Sequence, residues 1–133
     1  MIAHVVLFRP RAELTAAERD ALGSAFLEAV REIETIRQVR VGRRVTHGRG
    51  YEQLMAVDYT HAAILEFDDV AGLNAYLEHP AHGSLAQRFF SALESALMYD
   101  YDLGDHTRVN LLTAEALSSP VPLAPRPVPV TPV

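Results

Sequence analysis

The chain is 133 residues long, the length of a single domain with enough residues to bury a core. Its 12 basic residues are all arginine and it has no cysteine, which excludes disulfides, a thiolate nucleophile, a lysine Schiff base and a P-loop lysine. The net charge of −5 disfavours nucleic-acid binding, and no apolar run approaches the roughly 18 residues that span a bilayer. Because no signal-peptide pattern opens the chain, we expect a cytoplasmic protein away from membranes.

The first predicted element is a strand over Ile2 to Phe8, a nearly continuous apolar run rich in β-branched residues. His4 is the one polar side chain inside this run. Because side chains alternate along a strand, His4 shares a face with Ile2, Val6 and Phe8. Two interpretations stay open for His4: a core histidine with a hydrogen-bond partner, or a residue that lines a functional site.

A capping box at Thr15 and Glu18 predicts the start of a long amphipathic helix that covers a sheet. A second strand follows over Val39 to Val45, where valines alternate with arginine and glycine. It lies in the one basic stretch of an acidic protein, which consists of Arg37, Arg40, Arg43, Arg44, His47 and Arg49. These charges either protect a solvated edge strand or attract an anionic ligand.

A third strand over Thr60 to Phe67 carries His61 near its start. A short helix capped by Asp68 or Asp69 then runs toward Pro80. Proline lacks a backbone donor and clashes with the preceding turn, so this helix ends just before Pro80 and a new helix can begin there.

The helix break is surrounded by the densest group of catalytic-type side chains in the sequence. Tyr76, His79 and His82 lie within seven residues. Because the proline fixes where one helix ends and the next begins, it also fixes the directions of these three side chains. We expect any chemistry of this protein to take place at this cluster, although the residues alone do not tell what the cluster acts on.

A second helix after the break and a fourth strand over Leu97 to Asp102 complete the order β-α-β-β-α-β. In this arrangement the first and third strands are adjacent at the centre of the sheet, which places His4 and His61 on neighbouring strands. After Gly104 the composition changes, since six of the eight prolines fall in Ser119 to Val133. We expect a polyproline-like arm that packs along this subunit or a partner.

Five segments between Met1 and Leu103 share their order and spacing with a known family. They are Ile2-x-His4-Val5-Val6-Leu7-Phe8, Val41-Gly42-Arg43, Tyr59-Thr60-His61, Leu73-x-x-Tyr76-Leu77-x-His79-Pro80-x-His82 and Tyr99-Asp100-Tyr101. In these segments the chain resembles the stress-responsive A/B barrel family, called Dabb, of the dimeric α+β barrel superfamily. The resemblance implies a Dabb domain over residues 1–103 and leaves a Pro-rich C-terminal extension over residues 104–133.

The resemblance implies a ferredoxin-like β-α-β-β-α-β subunit of the α+β class. Its antiparallel sheet is expected to pair with a second copy and form a dimeric α+β barrel, with the helices outside. Four strands with helices on one face leave an apolar face that a symmetric homodimer buries. We expect the inner face of this barrel to carry His4 and His61, with Tyr76 and His82 on the helical segment over its mouth.

For function, the resemblance points to a branch of similar fold that contains cofactor-free polyketide cyclases. In that branch the second histidine of the H-P-x-H motif and the preceding tyrosine act as an acid/base pair. Those roles fall on His82 as base and Tyr76 as hydrogen-bond donor, with His4, His61 and His79 as substrate-binding residues. The implied activity is that of a cyclase or lyase that needs no cofactor and acts on a small apolar or aromatic ligand inside the barrel.

Other interpretations stay open. A non-catalytic protein of the stress response could bind a small ligand through the same side chains. His79 could instead cap the helix at Pro80 with His82 packed beneath it, so that the motif serves only the fold. His79 and His82 have the spacing of metal ligands but lack a third ligand in sequence. Haem binding, known in the superfamily, is a further option.

Overall fold

The computed structural model describes residues 1–112. The strands are β1 (Ile2–Pro10), β2 (Gln38–Arg43), β3 (His61–Phe67) and β4 (Leu93–Asp102), and the helices are α1 (Ala16–Glu32), α2 (Val70–Glu78) and α3 (Pro80–Ala92). Two short 3₁₀ helices span Gly50–Leu54 and His106–Leu112. The expected Pro-rich arm over Ser119 to Val133 lies outside the described residues.

The four strands form one antiparallel sheet in the order β2-β3-β1-β4. This confirms the predicted β-α-β-β-α-β topology with the first and third strands adjacent. In the register of the sheet, His4 lies opposite Leu65 of β3 and opposite Asp100 of β4, and Phe8 lies opposite His61. Because paired residues share a face, His4 and His61 lie on the same face of the sheet.

The helices begin where the sequence predicts, because each first turn finds a side chain for its free backbone donors. The Thr15 hydroxyl accepts the Glu18 amide at 3.1 Å, and the Asp69 carboxylate accepts the Gly72 amide at 2.8 Å. Some strand boundaries differ: β1 continues to Pro10 instead of ending at Phe8, and β2 ends at Arg43 instead of Val45. The largest difference is in β4, which begins at Leu93, directly after α3, instead of at Leu97. Its early residues pair with the end of β1, an extension set by tertiary pairing that local alternation does not report.

All three helices are on one face of the sheet, and we call this the helix-covered face. Its core combines strand and helix residues: Ile2, Val6, Ala63, Leu65 and Phe67 pack with Ala25, Ala29, Ile33, Leu73, Tyr76 and Leu85. Burial of this apolar surface is the main term that holds the helices on the sheet.

The alternate residues of the same strands form the opposite side, which we call the open face. It consists of Ala3, Val5, Leu7, Ala62, Ile64, Leu97, Tyr99 and Tyr101 with a polar patch toward β2. Tyr99 is 36% exposed and Tyr101 is 50% exposed. No helix within residues 1–112 has both the length and the apolar character needed to cross a membrane.

Candidate active site

Apart from Tyr76, His4 is the one buried side chain in the described part of the chain that carries a polar group, with 7% of its surface exposed. Its Nδ1 atom lies 2.6 Å from Oδ1 of Asp100 on the neighbouring strand β4. Because a carboxylate only accepts hydrogen bonds, Nδ1 carries the donated proton, and this leaves Nε2 for another group. Asp100 therefore fixes both the tautomer and the orientation of the His4 ring.

Tyr76 reaches this histidine from the last full turn of α2 and is only 3% exposed. Its ring centroid lies 5.8 Å from that of His4 and 5.3 Å from that of Phe67. Burial raises the pKa of Tyr76 to about 12, because the phenolate form would lose its hydration. At neutral pH the side chain keeps its proton and can donate a hydrogen bond.

His82 lies in the first turn of α3, immediately after the break at Pro80. Its ring meets the edge of Tyr76 with the two centroids 4.6 Å apart. Burial lowers the pKa of His82, and the electrostatic interaction with His4 acts in the same direction, whereas a hydrogen bond with the Leu77 backbone opposes both. His82 therefore favours its neutral form, which can accept a proton near neutral pH.

His79 takes a different position from the other predicted site residues. It is the N-cap of α3, and its Nδ1 accepts the backbone N–H of Ala81 at 3.0 Å. His79 is absent from the side chains that line the cavity described below. The structure thus gives His79 a capping contact, the one that the fold-only interpretation predicted, and does not bring it to the expected substrate. Within residues 1–112, no three His, Cys, Asp or Glu side chains gather as a metal site would require.

His61 lies on the helix-covered face near one end of the sheet. Its ring stacks on Phe8 with centroids 5.4 Å apart, and its Nδ1 lies 2.8 Å from the hydroxyl oxygen of Thr60. Phe8 in turn meets the edge of Phe89 on α3 at 5.1 Å. Since Phe8 is four residues beyond His4 on β1, roughly 13 Å of strand separates His61 from the His4 cluster.

A cavity of about 960 Å³ joins these side chains, and His4, His61, Tyr76 and His82 all line it. Its walls are mainly apolar, with residues of β1 and β3 below and of α1 and α3 above. This volume is within the range that holds a ring-sized organic molecule. The site is therefore a shaped apolar chamber with an acid/base cluster at one end.

The position of this chamber corrects one expectation. We expected His4 and His61 on the inner face of a barrel formed by two sheets, but they lie under the helices of their own chain. The reason is that His4 shares a face with Ile2 and Val6, which belong to the core that the helices cover. One chain thus supplies His4, His61, Tyr76 and His82 to the chamber without a partner.

Asp100 and two arginines at the other end of the chamber, Arg9 and Arg19, were missed as site residues by the sequence analysis. Arg43 and Arg44, by contrast, belong to the basic stretch that the sequence offered as a place for an anionic ligand. Alternation along β4 already places Asp100 on the face of Met98, a lining residue. Alternation does not give the register between strands, and it is the register that places Asp100 opposite His4. Arg9 and Arg19, both lining residues, are far apart in sequence, so no local motif marks them.

Fold and site together define a class: an α+β protein that holds, within one subunit, a tyrosine and a histidine of lowered pKa at an apolar chamber. The family model described as "Stress responsive A/B Barrel Domain" (Dabb) matches residues 2–103. The chain belongs to the Dabb family, as its motifs predicted.

Similar proteins include two named enzymes, one of them matched through its solved structure, and several other solved structures. Olivetolic acid cyclase from Cannabis sativa is 26% identical over 100 residues, which is 75% of this chain and 94% of that protein. The structure of a hydroxynitrile lyase from Passiflora edulis matches with a TM-score of 0.66 and 19% identity, over 78% of this chain and 94% of that one. A dimeric ferredoxin-like protein from Thermobifida fusca matches with a TM-score of 0.60 and 22% identity, over 77% and 90% of the two chains. The two structural likenesses confirm the ferredoxin-like fold.

Proposed function

We propose that this Dabb protein catalyses acid/base chemistry without a cofactor, of the polyketide cyclase type, on a small substrate held in the chamber. The observation that carries the proposal is the contact between Tyr76 and His82, whose ring centroids are 4.6 Å apart inside an apolar cavity. Their environments set opposite roles, because burial keeps the tyrosine protonated and the histidine neutral.

The proposed reaction is an intramolecular ring closure of a poly-β-keto chain. His82 removes a proton from an activated carbon between two carbonyl groups, while the Tyr76 hydroxyl donates to the enolate oxygen that develops. The carbanion attacks a second carbonyl of the same chain, so that a carbon–carbon bond forms as the carbonyl π bond breaks. The protonated His82 then returns its proton to the new alkoxide. His4, oriented by Asp100, offers Nε2 as a further hydrogen-bonding group.

The cyclase relative supports this choice of reaction. The matched 100 residues span nearly the whole length of olivetolic acid cyclase, and the shared domain contains both proposed catalytic residues. The lyase structure, at 19% identity, adds support for the fold alone.

We also propose that the protein forms a homodimer through the open face. This face is apolar, and its contact with water is unfavourable. It contains Val5, Leu7, Ile64 and the exposed rings of Tyr99 and Tyr101. The Thermobifida fusca neighbour is described as dimeric. Two such faces packed together would close a barrel, with both chambers outside the joint between the sheets.

The alternative is a protein that binds a small apolar or aromatic ligand and transforms nothing. The size and apolar walls of the chamber suit that role equally well, with Tyr76 and His82 as orienting groups. A measurement of substrate turnover distinguishes catalysis from ligand binding alone.

The test is a turnover assay with a panel of poly-β-keto thioesters, comparing wild type with His82→Asn and Tyr76→Phe. We expect His82→Asn to lower kcat/KM by about 10² to 10⁴, the usual contribution of a general base. Tyr76→Phe keeps the ring in the core and removes only the donor, so we expect a loss of about 10² to 10³.

His106→Asn is the matched control, because His106 is exposed and lies outside the lining of the chamber. It should leave kcat/KM unchanged. Full activity in His82→Asn would remove His82 from the mechanism, and retention of a ligand without any turnover would favour the binding function.

A further inference from the structure

The end of the chamber opposite the acid/base cluster carries an excess of positive charge. Five arginines line the cavity against two carboxylates, whereas the chain as a whole has a net charge of −5. The lining arginines are Arg9, Arg11, Arg19, Arg43 and Arg44, and the acids are Asp58 and Glu94. A concave apolar site with an excess of one charge attracts ligands of the opposite sign.

Three of the five arginines are already engaged. Arg9 and Arg44 both pair with Asp58, at 3.2 and 2.7 Å, and Arg11 bonds to two acidic side chains outside the lining. The Arg44 guanidinium holds the pKa of Asp58 below its usual value, so this bridge persists well into the acidic range. By contrast, neither Arg19 nor Arg43 forms an ion pair within residues 1–112.

The register of the sheet defines the position of Arg43 relative to the other strands. Arg43 of β2 lies opposite His61 of β3, and His61 stacks on Phe8 of β1. These three form a row across the helix-covered face, and a second row with His4 lies roughly 13 Å further along the strands.

Between the two rows lies an apolar strip. Val41, Ala63, Val6 and Met98 are paired across the four strands in this strip and line the chamber. A ligand that contacts both ends must cross this strip, so its middle section must be apolar.

We propose that the ligand carries an anionic group that binds Arg43, with an apolar section over the strip and its reacting end at Tyr76 and His82. A guanidinium presents paired donors that match a carboxylate or a phosphate, and either anion fits the same place. The proposal rests on the proposed function only for the reacting end, because the charge and the apolar strip define the rest of the ligand by themselves.

The test is calorimetric titration with three probes that share one alkyl chain: decanoate, decyl phosphate and decan-1-ol. We expect at least one anion to bind wild type about tenfold more tightly than the alcohol, the lower range for a charged hydrogen bond at an exposed side chain. Arg43→Gln should abolish this preference while leaving the affinity for the alcohol unchanged. The tighter of the two anions identifies the group as a carboxylate or a phosphate.

Arg31→Gln is the matched control, since Arg31 is also exposed and unpaired within residues 1–112 but lies on α1 away from the cavity lining. It should retain the preference for anions. Equal affinity for alcohol and anions in wild type, or equal losses in both variants, would overturn the proposal.

Failure of this proposal can be distinguished from failure of the proposed function. Anion binding that depends on Arg43 without turnover of any thioester would refute the catalytic function and leave this inference standing. Turnover that depends on His82, with no preference for anions, would refute only this inference.

Discussion

The helix-covered face and the open face of the sheet are built from alternate residues of the same four strands, yet they hold different side chains. His4 and His61 lie on the first face, under the helices, and line the same chamber as Tyr76 and His82. The second face has apolar strand residues and two tyrosines that are at least one-third exposed. The proposed chemistry and the proposed association would therefore use opposite sides of one sheet.

This separation means that the chamber and the proposed dimer are independent in structure. A mutation on the open face can weaken association without touching a lining residue, and a mutation in the chamber can remove chemistry while the open face stays intact. The following predictions use neighbouring residues, or groups within one site, to test that independence.

The largest expected difference is between two adjacent residues of β3. Leu65 is 2% exposed on the helix-covered face, and Ile64 lies on the open face. We expect Leu65→Ala to lower the free energy of unfolding by about 2 to 5 kcal/mol, because it leaves a cavity in the core. Ile64→Ala should cost roughly 1 kcal/mol when urea unfolding is followed at low protein concentration. Equal losses at the two positions would contradict the distinction between the faces.

The second prediction concerns pH and applies only to the chamber. In the proposed mechanism His82 acts as a base in its neutral form. Because burial lowers its pKa from 6.5, kcat/KM should stay high at pH 6.5 and fall only in more acidic buffer. Tyr76 acts in its protonated form and has a pKa of about 12, so no loss should arise from it below that pH. A pH–rate profile with an acidic limb centred above 6.5 would contradict the burial of His82.

The lowered pKa of His82 also makes the free energy of unfolding depend on pH. An unfolded chain takes up a proton on His82 at its ordinary pKa, whereas the folded chain resists it. The unfolded state therefore binds more protons, and this part of the folding free energy is lost as the pH falls through 6.5 toward the lower pKa of the folded state. Denaturation of wild type and His82→Asn at several pH values measures the difference.

The smallest expected effect is at His79, which caps α3 and lies outside the chamber lining. His79→Ala should cost about 1 kcal/mol of stability, the usual value of an N-cap, with little change in ligand affinity. His79→Asn restores a side-chain acceptor and should recover most of the loss in melting temperature. A loss of affinity in both variants, with stability unchanged, would show that His79 contacts the ligand.

The sequence predicted the order of elements because local signals mark them: the capping box at Thr15, the break at Pro80 and the apolar strand at Ile2 to Phe8. It also predicted that Tyr76 and His82 belong to one site, since one helix break positions both. It did not predict the side on which that site lies. Both faces of β1 are apolar, so alternation alone cannot tell which face the helices cover.

Local sequence patterns could not predict the contact between His4 and Asp100, for a related reason. The two residues are 96 positions apart and meet only through the register of β1 with β4. Alternation gives the face of each residue, but register depends on the packing of the whole sheet. The charged end of the chamber was predicted only in part. The basic stretch contained Arg43, but Arg19 comes from α1, which no local pattern joins to that stretch.

The central claim is that a single chain encloses the ligand between its sheet and its own helices. The most direct test is to label the six histidines with ¹³C at Cε1 and follow their NMR signals while adding an alkylated dihydroxybenzoic acid, an analogue of a cyclised aromatic product. The account predicts that the signals of His4, His61 and His82 shift together, while those of His79 and His106 stay in place. Unmoved signals of these three chamber histidines at saturating ligand would contradict it.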